Sequence, residues 1–172
     1  MHLRLRGRNA LSEFRLNKLN QALQQAHLKL ASINAGFWHF VSASRALSRA
    51  ENTVLERILT YGPAAHAVPE AGQLLLVVPR LGTISPWASK ATDIARQCGL
   101  SVIERIERGI AWHIARADGS RLSERDTAAL RPLIHDRMTE TVLDTFDAAA
   151  QLLHHYPPQH RGEPKRRAVR VP

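Results

Sequence analysis

Apolar positions recur at two different spacings along this chain, and the switches between them mark out a repeated order of strands and helices. Leu3-Arg4-Leu5 alternates as a short strand does. Ser12 reads as the N-cap of a helix whose apolar face is Leu16, Leu19, Leu23 and Ala26. Residues 33–41, rich in aromatic and β-branched side chains, predict a strand, with Gly36 at a bend or turn. Ser48-Arg49-Ala50-Glu51 is a capping box, in which the serine accepts from the third helical N–H and the glutamate reaches back. The helix it opens carries Val54, Leu55, Ile58 and Leu59 and stops at Tyr61-Gly62-Pro63.

The same order then returns. Residues 74–78 form an unbroken apolar run, as in a strand buried on both faces. Ser85-Pro86 opens a helix with serine as cap and proline at the first helical position, where its missing N–H costs nothing. Trp87, Ala91, Ile94, Ala95 and Cys98 predict its apolar face, and Gly99 its end. Residues 102–116 read as a hairpin turning near Arg108-Gly109, and Ser123-Glu124-Arg125-Asp126 is a capping box of the aspartate form. A last helix is expected over 132–156, through Met138, Val142, Phe146 and Leu153.

Three local matches support a duplication. Leu11-Ser12-Glu13-Phe14 aligns with Ile84-Ser85-Pro86-Trp87, Trp38-His39-Phe40 with Trp112-His113-Ile114, and Leu47-Ser48 with Leu122-Ser123, at offsets of 73 to 75 residues. His39 and His113 therefore fall at matching strand positions. Each half has too few elements to cover its own sheet, so the two are expected to combine. The predicted fold class is α+β: pseudo-repeats over about 1–61 and 72–134, an antiparallel sheet layered with helices, and a C-terminal helix. Residues 62–72 read as a linker between the halves.

Composition changes this picture little. The chain has 172 residues, 44% hydrophobic and 23% charged, which is ordinary for a globular protein. No apolar run approaches the ~20 residues of a membrane helix. A single cysteine, Cys98, fits a reducing compartment, and cytoplasm is the expectation. The net charge of +9 invites a nucleic-acid reading. However, residues 157–172 hold five Lys/Arg against one acid, and aromatics are only 5% with no basic–aromatic stripe. A disordered basic tail over 157–172 explains the charge better than a binding groove does.

Residues 79–95, PRLGTISPWASKATDIA, carry a long and specific pattern. Ile106-Glu107-Arg108-Gly109 follows in order, then His135-Asp136-Arg137-Met138-Thr139-Glu140. Upstream, Ala10-Leu11-Ser12 and Leu59-Thr60-Tyr61-Gly62-Pro63 join the series. Together these resemble the amino-terminal part of the large single-chain phosphoribosylformylglycinamidine synthases, over roughly residues 3–156; Ala88 departs where that family usually has serine. The resemblance implies a first domain like a fused dimer of the small PurS subunit. It implies as partners a synthetase domain and a glutaminase domain. The family makes formylglycinamidine ribonucleotide in purine synthesis, using ATP, Mg and glutamine. After Tyr156 nothing matches the family, and the Arg/Pro-rich ending suits out-of-frame DNA. The expectation is a truncated or frameshifted synthase, inactive alone.

Catalytic chemistry is not expected in this chain. Cys98 has no evident base beside it and is expected to be buried, and no Gly-rich phosphate loop exists. Adjacent His154 and His155 suit one metal poorly, and no cofactor is expected. On residues alone, 80–93 is a well-capped helix start whose polar side faces water. The family resemblance makes it a surface for docking or for an anionic substrate, with Arg80, Thr83, Ser85, Ser89, Lys90, Thr92 and Asp93 as contacts and Trp87 as core. Asp136, Arg137 and Glu140, expected on the last helix, are further docking candidates. Apolar surface left for partners makes self-association an expectation. A self-standing accessory subunit and a small basic nucleic-acid binder are the alternative readings.

Overall fold

The capping signals place the helices where the sequence predicts them. In the computed structural model, which describes residues 1–25, 30–61 and 71–154, Ser48 Oγ accepts from Glu51 N while the Glu51 carboxylate accepts from Ser48 N at 2.7 Å. Ser123 and Asp126 form the second box, and Ser12 Oγ accepts from Arg15 N. The elements are β1 (His2–Asn9), α1 (Glu13–Gln25), β2 (Leu30–Ala43), α2 (Arg49–Leu59), β3 (Gln73–Pro79), α3 (Pro86–Gln97), β4 (Ile103–Arg116), α4 (Glu124–Ile134), β5 (Glu140–Leu143) and a 3-10 helix, Ala148–Leu153. Gly99, at φ +88°, supplies the left-handed turn that stops α3. Strand–helix–strand–helix thus occurs twice. Residues 62–70 of the expected 62–72 linker, the tail over 157–172, Ala26 and His155 lie outside the described residues.

The strands form one antiparallel sheet in the order β1-β2-β4-β3-β5. The two long strands β2 and β4 pair at the centre, with β1 and β3 outside them, so the two units face each other about a pseudo-twofold axis. All four α-helices cover one face, in two groups. The first joins α2 and α3 over Val41, Ala43, Ile103 and Ile106. The second joins α1 and α4 over Ile33, Ala35, Leu75, Trp112 and Ile114. On the far face, Phe40, Leu76, Val78 and Ala111 pack with Ala149 and Leu152 of the 3-10 helix.

Five expectations are corrected. There is no hairpin at Arg108-Gly109: β4 runs straight through, because β2 is equally long and pairs along it from Leu30 to Ala43. Gly109 serves close packing there, since a Cβ would sit 2.9 Å from both Val77 O and Val78 Cγ1. Gly36 is not a bend but an ordinary strand residue opposite Ala111. No helix spans 132–156. α4 ends at Ile134, and β5 then pairs with the outer edge of β3, Val77 opposite Val142 and Pro79 opposite Glu140. The apolar spacing misled because Val142 packs with the helix-face group and Leu143 with the far face, the alternation of a strand.

His39 and His113 are not equivalent. His39 shares the helix face with its cross-strand neighbour Arg108, whereas His113 lies opposite Asn34 and beside Leu74 on the far face. A one-residue error in aligning two strands reverses the face of every side chain. Finally, Cys98 and Ile94 are exposed rather than part of the apolar face of α3. That face is Ala88, Ala91, Thr92 and Ala95.

Candidate functional site

Residues 80–93 begin where β3 ends. Arg80 N donates to Thr139 O at 2.9 Å, which ties the loop to the start of β5. Gly82 adopts φ +79°, and Thr83 closes the turn by donating its N–H and its hydroxyl to Arg80 O. Ser85 then caps α3, accepting from Ala88 N at 3.0 Å, with Pro86 in the first turn. The Ser85 hydroxyl donates in turn to the buried carboxylate of Glu107 at 3.0 Å.

α3 lies along a stretch of β4 that β3 does not reach, and its side chains satisfy that bare edge. Thr92 Oγ1 accepts from Ile106 N at 3.0 Å. Arg96 donates to Ile103 O and Glu104 O. Thr92 is therefore a buried structural residue, 7% exposed, and not a contact residue as the sequence suggested. Arg80, Thr83, Ser89, Lys90 and Asp93 all face solvent, Ser85 is half-buried, and Trp87 is half-buried against the core.

Asp136, Arg137 and Glu140 are not on a helix. They occupy the turn into β5, where Asp136 Oδ1 accepts from Met138 N and Glu140 Oε2 accepts from Asp136 N. Because Pro79 pairs with Glu140 and Arg80 with Thr139, this turn sits directly beside the 80–93 loop. Two candidate groups far apart in sequence thus share one end of the molecule. A cleft of about 340 Å³ lies between them, lined by Pro79, Ser85, Trp87, Arg108, Thr139 and Glu140. Ile84 and Met138, 61% and 77% exposed, add apolar surface to this end.

Sequence reasoning missed Arg108, which it assigned to a turn. Its guanidinium lies 4.5 Å from the Phe37 ring centroid and 4.6 Å from that of Trp87, and Nη1 donates to Tyr61 Oη. Tyr61 Oη also bonds His39 Nε2 at 2.8 Å. Burial, helped by the Arg108 charge, lowers the His39 pKa to about 4, so the imidazole is neutral near pH 7. The signal that could have found this cluster is the alternation Ile106, Arg108, Ile110, which puts a charge on the inward face of an unbroken strand.

The two groups expose cations (Arg80, Lys90), carboxylates (Asp93, Asp136) and apolar side chains (Ile84, Met138) to solvent, the side-chain mixture that binding surfaces use. Among the described residues no group of three or more His, Cys, Asp or Glu is placed to hold a metal, and no helix is long and apolar enough to cross a membrane. Residues 36–153 match the model of the family described as formylglycinamide ribonucleotide amidotransferase N-terminal. The chain belongs to this family. Formylglycinamide ribonucleotide amidotransferase is another name for the synthase that the sequence motifs point to, so the match ties the chain to purine biosynthesis and to a domain that works with the other domains of that enzyme. The match begins within β2 and ends within the 3-10 helix, taking in both candidate groups and the cleft between them.

Proposed function

We propose that this chain is the scaffold and docking module of a phosphoribosylformylglycinamidine synthase, the ATP- and glutamine-dependent ligase that makes formylglycinamidine ribonucleotide. The observation that carries this reading is the surface formed by residues 80–93 and 136–140. It exposes charge of both signs and apolar side chains, on a segment that the fold holds in place from behind. Its partners are the synthetase and glutaminase domains of such an enzyme. ATP, Mg and glutamine are handled there, and the chain alone is expected to be inactive. In the docked state Arg80 and Lys90 provide positive charge where the synthetase domain holds an anionic nucleotide, or pair with carboxylates of that domain.

The test is to mix the purified chain with a synthase lacking its first domain and to measure ATP- and glutamine-dependent amidine formation. The expected result is turnover that rises and saturates as the chain is added. Replacing both Arg80 and Lys90 with alanine should raise the amount needed for half-maximal turnover about tenfold, the usual weight of two interfacial charges. If the unaltered chain neither binds that synthase nor restores its turnover, the proposal is overturned.

A further inference from the structure

The 80–93 segment turns a corner of the sheet. Leu81 packs with the far-face cluster, whereas Trp87 and Ala91 pack with the helix-face cluster. Between them the chain rounds β4 over the stretch that β3 leaves unpaired, since the β3–β4 ladder ends at Val77 and Ile110. Glu107 stands at this crossing with no exposed surface. Its two carboxylate oxygens serve two different parts of the segment. Oε1 accepts from Arg105 Nε at 3.1 Å and Nη2 at 2.5 Å, and the same Nη2 donates to Thr83 O at 2.7 Å. Oε2 accepts from the Ser85 hydroxyl, whose oxygen caps Ala88 N.

We infer that Glu107 is a positioning residue for the docking surface, acting through Arg105 on the loop and through Ser85 on the start of α3. This inference rests on the reading of 80–93 as a docking segment. A hydroxyl has one proton, and giving it to Glu107 turns a Ser85 lone pair toward Ala88 N. The carboxylate thereby fixes the direction in which α3 leaves the sheet edge, and with it the placing of Ser89 and Lys90. Removing the carboxylate alone leaves Arg105 without its partner and the Ser85 hydroxyl without its acceptor, so Glu107 also stabilises the fold. A glutamine cannot take its place. One amide oxygen accepts from Arg105 or from Ser85, and the NH2 group then faces a donor at the other end.

The experiment compares the unaltered chain with Glu107→Gln, Glu107→Leu and the Arg80→Ala/Lys90→Ala double variant. Each is titrated into a synthase lacking its first domain, and each is also followed by thermal unfolding and by amide exchange at Ala88. Both Glu107 variants should melt at a lower temperature and, assayed well below it, need about tenfold more chain for half-maximal turnover, reach the same plateau and exchange the Ala88 amide faster. Unchanged half-saturation with unchanged Ala88 exchange overturns the inference. So does a lowered melting temperature with a lower plateau at the same half-saturation, which would make Glu107 a stability residue only. If the Arg80/Lys90 variant titrates like the unaltered chain, the docking reading fails instead, and Ala88 exchange still reports whether Glu107 positions the segment.

Discussion

His39 illustrates how a single side chain ties the fold to solution conditions. Its pKa in the folded chain is about 4, against 6.5 for an ordinary histidine, chiefly because it is buried. As pH falls below 6.5 the unfolded chain takes up a proton that the folded chain refuses. The stability contributed by neutral His39 is therefore complete above pH 6.5 and is lost progressively down to about pH 4. The loss should be on the order of 2–3 kcal/mol. Glu51, whose pKa the Arg45 guanidinium and the Ser48 amide hold down from 4.5 to about 2, begins to lose its contribution only below about pH 4.5 and so overlaps just the lower end of this window. Denaturant unfolding from pH 7 to pH 4 should show a clear decline in the unaltered chain and a flatter profile in His39→Gln. Two glycines of the central strands make a second contrast. Gly109→Ala would press a methyl against Val77 and Val78 and should cost about 1–3 kcal/mol. Gly36→Ala meets no atom within 4 Å and should stay within about 0.5 kcal/mol of the unaltered chain in the same measurement.

Among the elements, α3 is held less by its apolar stripe than by polar bonds to a strand edge. Thr92 answers Ile106 N, and Arg96 answers two carbonyls, so the edge of β4 that β3 does not reach is covered by helix side chains. Thr92→Val keeps the volume but leaves a buried N–H unpaired. It should destabilise by about 1–3 kcal/mol in chemical denaturation. Helix starts were legible in the sequence because a capping box is complete within four residues. Ser48, Ser85 and Ser123 all cap as their sequence context predicts. The end of the chain was misread because Val142 and Phe146 fit a helical spacing as well as a strand followed by a turn. The choice went to the strand because β3 presents an edge that β5 can pair with.

At the scale of the whole molecule, the two units are not two cores joined together. One helix-face cluster takes α2 from the first unit and α3 from the second, and the other takes α1 from the first and α4 from the second. Neither unit alone encloses a core, and β2 alone would leave its longest edge bare. Residues 1–61 expressed by themselves should therefore show no cooperative unfolding as a monomer, by circular dichroism with sizing chromatography, whereas the full chain should unfold in one transition. The helix starts, the repeated order of elements and the family are legible in the residues alone. Each of these depends on local chemistry or on a contiguous motif. Long-range pairing makes β4 one strand, turns His39 and His113 to opposite faces and places Thr92 inside. It also brings residues 136–140 beside residues 80–93 and buries Glu107 beneath the latter. Those outcomes turn on strand register and on which edge is left to be covered, and both are set by pairing between residues remote in the chain.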